Sequence, residues 1–220
     1  MSNDKLPVAV IGVGHMGRHH ARLYSELPHA ELVAVVDGDR ERAAKCAKDH
    51  KTKALHSIDE LPDGIRAASV AVPTIYHRKI TEALLNRGIA VLCEKPIAPS
   101  VEDALAMLEC SRKTGTLLTV GHTERFNPVV RALSRLEVRP KYVETTRISP
   151  FRFRSADIGV VSDMMIHDID IVLHLIKSEP ARIDAVGVNV LSKQEDVANA
   201  RVVFKNGAVA NLAASRLALK

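Results

Sequence analysis

Short apolar runs recur at residues 7–11, 31–36, 68–72, 89–93 and 116–120, each rich in Val, Ile, Leu and Ala. Runs of that length, apolar on both faces, predict buried parallel strands. Between them, residues 15–27, 40–49, 74–87 and 100–113 mix polar and apolar positions with helical period. Pro28 closes the first of these helices, and Gly88 and Gly115 stand where C-terminal caps belong. Ser100 is placed to cap the N-terminus of the last. Strands alternating with helices predict right-handed βαβ units and a parallel sheet.

The pattern changes after Gly121. A helix is expected at 129–136, a half-exposed strand at 141–148 and a long helix at 161–176. Strands are expected at 183–191, 200–204 and 208–214, with Asn206-Gly207 as a two-residue hairpin turn between the last two. The expected fold class is therefore α/β: a Rossmann doubly wound parallel sheet over 1–122, then an α+β domain with an open antiparallel sheet over 123–220. The second sheet is thin, so the substrate domain is expected to be incomplete at its C-terminal end.

Composition narrows the function classes. With 46% hydrophobic residues the chain can bury a core, and no apolar run is long enough to span a membrane. The N-terminal residues show no secretory signal, and Cys46, Cys93 and Cys110 lack metal-ligand spacing, so a cytoplasmic protein with reduced thiols and no metal is expected. The net charge is 31 minus 26, or +5, but the basic residues are scattered and aromatics make up only 3%. That argues against nucleic acid and suits an acidic small molecule.

Gly12-Val13-Gly14-His15-Met16-Gly17 is G-x-G-x-x-G, between the first strand and the first helix. Gly12 permits the tight turn, Gly14 lets a pyrophosphate approach the backbone, and Gly17 lets helix pack on strand. The helix N-terminus, with His15 and Met16, offers N–H groups to the phosphates. Asp37 ends the second strand, 20 residues after Gly17, where a carboxylate accepts hydrogen bonds from ribose hydroxyls. An acidic group there repels a 2′-phosphate, so NAD is favoured over NADP, with nearby Arg40 complicating the choice.

With this fingerprint, Pro73-Thr74-Ile75-Tyr76-His77 and Glu94-Lys95-Pro96, the chain resembles the glucose–fructose oxidoreductase / inositol dehydrogenase / MocA family from about Val8 onward. The resemblance implies a Rossmann domain followed by a substrate-holding sheet. It places Pro73, Thr74 and His77 along the cofactor, Glu94 at the nicotinamide ribose and Lys95 beside the reacting carbon. Asp163 and His167 match the family's D-x-G-x-H-x-x-D pattern, which lies against the substrate hydroxyl, and Met165 replaces its glycine and is expected to narrow the pocket. On an unbroken helix Asp163, His167 and Asp170 share one face.

The implied reaction oxidises a secondary alcohol by hydride transfer to nicotinamide. Either Lys95 or His167 is the base, and Asp163 orients it. Residues 121–128, G-H-T-E-R-F-N-P, join the domains, and Arg125 and Asn127 are candidate substrate contacts. With M-I-H-D-I-D at 165–170, the junction is similar to a bacterial subgroup that oxidises the 3-hydroxyl of UDP-N-acetylglucosamine. Arg147, Arg152 and Arg154 are then candidates for the diphosphate, although a basic sheet edge explains them equally well. A free polyol such as inositol is the alternative substrate, and a non-catalytic NAD-binding homologue is the alternative class. Family members often pair through the sheet, so a homo-oligomer is expected.

Overall fold

A computed structural model describes residues 5–136, 138–151 and 158–218. The chain forms two compact units, Met1–Gly121 and His122–Lys220.

In the first unit the strands are β1 (Leu6–Ile11), β2 (Ala30–Val36), β3 (Lys53–Leu55), β4 (Ala67–Val70), β5 (Ala90–Cys93) and β6 (Leu118–Val120). The helices are α1 (Gly17–Glu26), α2 (Arg40–His50), α3 (His77–Asn86) and α4 (Val101–Thr114). The six strands are parallel, in the order β3-β2-β1-β4-β5-β6. Strand order reverses at β1, so a ligand crevice is expected beyond the carboxyl ends of β1 and β4. The central strands are apolar on both faces because helices cover both: Ala9, Val10, Ile11, Val35, Val70 and Val91 are all buried.

Local chemistry sets the helix ends. The Asp39 carboxylate accepts the Arg42 N–H and Ser100 Oγ accepts the Asp103 N–H, each capping a first turn. Gly115 takes φ +64° at the end of α4, which a side chain would oppose. Two features escape the sequence pattern. Strand β3 has only three residues at the sheet edge. Residues 74–76 form a 3₁₀ turn, with α3 starting at His77, because Pro73 O accepts the Tyr76 N–H.

The second unit contains α5 (Pro128–Arg135), β7 (Tyr142–Ile148), α6 (Ile166–Ile176), β8 (Pro180–Val188), β9 (Val197–Phe204) and β10 (Val209–Ser215). Its sheet order is β7-β10-β9-β8. The expected antiparallel sheet is corrected to a mixed one, because β7 pairs parallel with β10. Strand periodicity is the same in both pairings, so only register exposes the difference. Gly207, at φ +81°, makes the hairpin turn between β9 and β10. Ala210, Leu212 and Ala214 of β10 point inward onto Val172, Ile176 and Phe204.

The expected unbroken helix is also corrected. Val161–Met165 is a π turn preceding α6. The wider turn lets the consecutive Met164 and Met165 both bury, at 9% and 2% exposure. Met165 is thus largely buried, and with Ile169, Val172 and Phe204 it lines an apolar cavity of this unit. At the far end of the sheet, buried Asp196 accepts the N–H groups of Val190, Leu191 and Ser192 at 2.7, 2.6 and 3.0 Å. Buried Arg216 donates to the same carboxylate at 2.7 Å.

Candidate active site

The glycine loop lies at the carboxyl end of β1. Gly12 has φ +83°, and a Cβ there would meet Ala71 O and the Val72 backbone N at 2.8 Å. A Cβ on Gly17 would sit 1.7 Å from Gly12 O. Both glycines are therefore required by the chain's own packing. Gly14 differs: nothing lies within 4 Å of a Cβ built on it. His15 and Met16 lie beside it, both exposed. No side chain caps the start of α1, and its first turn contains no acidic residue. Its positive end is open to an anion.

Asp37 follows β2 and is 9% exposed. Its Oδ2 accepts the Val13 N–H at 2.9 Å and its Oδ1 the Asp39 N–H at 2.9 Å. Arg42 Nε and Nη2 each donate to it at 3.0 Å. Burial pushes the Asp37 carboxyl up, but the Arg42 guanidinium and the two backbone N–H groups hold it below its ordinary value. The arginine engaged at this position is Arg42, not Arg40. An i, i+5 pair bridging a strand end and a helix is invisible to pattern counting.

Glu94 and Lys95 follow β5, and the Lys95–Pro96 peptide is cis. Glu94 is 6% exposed, and its Oε1 lies 2.7 Å from His20 Nε2. His20 Nδ1 lies 3.0 Å from Ser69 Oγ, which lies 2.7 Å from Tyr24 Oη. The sequence pattern does not disclose this network of Glu94, His20, Ser69 and Tyr24, although His20 follows the glycine loop by one helical turn. A Cβ on Gly121 would come within 3.2 Å of the Glu94 carboxylate, so the glycine leaves it room. Pro73 is exposed just before the 3₁₀ turn, and Thr74, its first residue, is half-buried. His77, expected along the cofactor, is 1% exposed. Its Nε2 lies 2.9 Å from Val72 O and its Nδ1 3.0 Å from Pro96 O. The ring braces two loops, so its part is in shaping the site.

In the second unit, Asp163 lies in the π turn and His167 on α6, both half-buried. Asp163 and His167 therefore sit in different helical turns, and Asp170 on α6 is buried. Arg125 grips Asp170 through Nε and Nη2, both at 2.7 Å. Burial pushes the Asp170 carboxyl up, but Arg125, with the charges of His122 and His174, holds it below its usual value.

Arg147 grips Asp168 in the same two-pronged way, at 2.9 and 2.8 Å, and its Nη1 lies 3.8 Å from Glu124. Asn127 accepts the Val129 N–H and donates to Glu124, capping α5. Arg125, Asn127 and Arg147, expected as substrate contacts, are thus committed to partners inside this unit. Arg152 and Arg154 lie outside the described residues. Among the described residues no group of three or more His, Cys, Asp or Glu could hold a metal, and no helix is long and apolar enough to cross a membrane.

The residues of the first unit fit a dinucleotide. The open space at Gly14 suits a pyrophosphate, the bare N-terminus of α1 suits its charge, and Asp37 suits a ribose.

Comparison with known proteins agrees. Residues 6–122 match the model of an oxidoreductase family with an NAD-binding Rossmann fold, and residues 135–220 match the GFO/IDH/MocA C-terminal domain. UDP-N-acetylglucosamine 3-dehydrogenase of Acidithiobacillus ferrooxidans is 39% identical over 94% of this chain and 66% of its own length. A solved structure of that enzyme superimposes with TM-score 0.93 at 37% identity, over 98% of this chain and 71% of that one. Inositol 2-dehydrogenase 4 of Saccharopolyspora erythraea is 36% identical over 76% of this chain and 52% of its own length. The chain thus spans about half to two thirds of these curated relatives. With the loop of Gly12 to Gly17, the strand order reversing at β1 and Glu94-Lys95-Pro96 at the end of β5, both units match the same family, and the chain belongs to the GFO/IDH/MocA oxidoreductases.

Proposed function

We propose that the protein is an NAD-dependent oxidoreductase that oxidises a secondary hydroxyl of a nucleotide sugar, with the 3-hydroxyl of UDP-N-acetylglucosamine as first candidate. The observation that carries this reading is Lys95, presented past the carboxyl end of β5 beside a Glu94 anchored by His20. The similarity to UDP-N-acetylglucosamine 3-dehydrogenase supplies the candidate substrate.

NAD, when bound, supplies the acceptor for the carbon-bound hydrogen of the alcohol. The chain supplies the rest. Gly14 and the start of α1 hold the pyrophosphate, and Asp37 holds a ribose. Lys95 or His167 takes the hydroxyl proton, and Asp163 orients the acceptor of that proton. Where His167 is the base, Lys95 as an ammonium instead stabilises negative charge developing on the hydroxyl oxygen.

A free polyol is the second reading, and one observation favours it. Arg147, one of the cations expected to meet a diphosphate, is tied to buried Asp168, and Arg125, a candidate substrate contact, is tied to buried Asp170. The deciding experiment incubates the protein with NAD and UDP-N-acetylglucosamine, free N-acetylglucosamine or inositol, with a carbonyl trap, and follows absorbance of reduced nicotinamide. Signal with the UDP-sugar alone supports the first reading. Signal with inositol alone replaces it with the second.

The protein is further proposed to self-associate through its second sheet, since Ile183, Val186 and Val188 of β8 are 61%, 62% and 50% exposed. Free Cys46, Cys93 and Cys110 support a reducing, cytoplasmic setting.

A further inference from the structure

Glu195 ends the loop between β8 and β9, half-buried, and its side chain runs through a slot that two glycines leave open. A Cβ on Gly187 would come within 3.1 Å of the Glu195 Cβ, and a Cβ on Gly159 would sit 1.8 Å from its Oε1. The slot delivers the carboxylate to the start of the π turn, where Oε1 accepts the Val161 N–H at 3.2 Å, across 34 residues of sequence. The Glu195 backbone O accepts the neighbouring Val160 N–H at 2.8 Å. Val160 makes no side-chain cap of its own, so a group borrowed from the sheet satisfies donors that a helix start leaves over. The borrowed group is itself fixed. Asp196, the next residue, is held by three backbone N–H groups and by Arg216, and Arg216 Nη1 also donates to Ile158 O at 2.9 Å.

From that anchor both candidate residues are one hydrogen bond away. The Asp163 N–H donates to Gly159 O at 3.0 Å, and the N–H of Ile166, beside His167, donates to Val161 O. A local cap would stabilise the helix without fixing its place, whereas a cap from the loop after β8 ties it to the sheet. We propose that Glu195 is a positioning residue: its carboxylate, seated between Gly187 and Gly159, fixes the start of the π turn and through it the places of Asp163 and His167. The inference rests on the reading of those two residues as groups that handle the substrate hydroxyl. Displacing such a group by about 1 Å costs on the order of a hundredfold in rate.

The test measures kcat, KM, NAD affinity and melting temperature, with whichever of UDP-N-acetylglucosamine, free N-acetylglucosamine or inositol the wild type oxidises. Glu195→Ala lowers kcat by about 10–100-fold and changes KM and NAD affinity far less. Glu195→Gln keeps an oxygen for the Val161 N–H and recovers most of the lost kcat. Gly159→Ala drives a methyl group into the carboxylate and lowers kcat as Glu195→Ala does. Added to Glu195→Ala it costs little more, because the slot is then empty. Phe204→Leu, a core change at the far end of β9, lowers the melting temperature without lowering kcat.

The proposal is overturned if Glu195→Ala keeps the wild-type kcat, or loses no more of it than Phe204→Leu. It is also overturned if Glu195→Gln is as impaired as Glu195→Ala, or if the losses of Glu195→Ala and Gly159→Ala simply add. Should Glu195→Ala fail to fold, Glu195→Gln and Gly159→Ala decide alone: near-normal kcat in the first with low kcat in the second supports the proposal, and any other pattern overturns it. A wild type that oxidises none of the three substrates overturns the functional reading and this inference with it. An active wild type whose kcat survives Glu195→Ala overturns only this one.

Discussion

His20 Nε2 lies 2.7 Å from Glu94 Oε1, joining the first helix to the loop that presents Lys95, across 74 residues of sequence. Burial pushes the Glu94 carboxyl up, but the His20 hydrogen bond and charge, the Lys95 N–H and the Lys95 ammonium together hold it below its ordinary value. A carboxyl lowered on folding adds stability that is full above its unfolded value, about 4.3, and is lost as pH falls through the folded value. His20→Ala leaves a buried carboxylate without that partner and costs about 1–3 kcal/mol at pH 7. Urea unfolding of both proteins at pH 7 and pH 3 checks this. The difference shrinks in acid if the charge contact is responsible, and persists if packing is.

Gly14 and Gly17 separate ligand from fold. Gly14→Ala adds a methyl group into open space, so the melting temperature stays within a degree or two of wild type while NAD affinity falls. Gly17→Ala drives a methyl into Gly12 O and unfolds or severely destabilises the first unit. Thermal melts with NAD titrations check both, and equal loss of stability in the two variants would contradict the assignment of Gly14 to the cofactor.

Lys95→Ala is expected to lower turnover by about 10²–10⁴-fold, the usual range for losing a proton-transferring group. Cofactor affinity should change only a few-fold. Parallel calorimetry and kcat measurements read the two effects separately. Near-normal turnover would remove Lys95 from the chemistry.

Arg147 and Asp168 form a two-pronged pair with side chains 30% and 9% exposed. A double-mutant cycle with Arg147→Ala and Asp168→Ala should give a coupling of about 1–2 kcal/mol, below a fully buried pair because solvent reaches the guanidinium. Arg147→Ala should therefore lower stability with little effect on the KM for substrate. A large rise in KM with unchanged stability would restore Arg147 to the substrate.

Asp196 and Arg216 are both almost fully buried, at 0% and 2% exposure. Burial pushes the Asp196 carboxyl up, but three backbone N–H groups and Arg216 hold it far below the usual carboxylate range. Asp196→Asn strands the Arg216 charge and is expected to cost about 3–5 kcal/mol. For the wild type the sign is fixed: this contribution is full above the unfolded value and disappears only in strong acid, as pH falls through the depressed folded value. Guanidinium unfolding checks the loss.

Much of the first unit was legible in the chain itself. Parallel strands buried on both faces read as unbroken apolar runs, and caps such as Ser100 and Gly115 act within one helical turn. The glycine loop announces itself because Gly12 and Gly17 answer local steric demands. Lys95 was singled out by the family resemblance, through a motif three residues long. Each of these signals is short-range, so residue order alone carries it.

The partners of the charged groups were not legible. The family resemblance pointed to Arg125, Asn127 and Arg147 as substrate contacts, and Arg40 stood near enough to Asp37 to complicate the choice of cofactor. The tertiary structure put Arg42 on Asp37, Arg125 on Asp170, Arg147 on Asp168, His20 on Glu94 and Asn127 on its own helix end. It also decided that β7 runs parallel to β10 and that a π turn precedes α6. The reason is physical. Periodicity and turn chemistry are properties of neighbours along the chain, whereas a charge chooses its partner by distance and burial in space, and those exist only once the strands have been ordered and the helices packed.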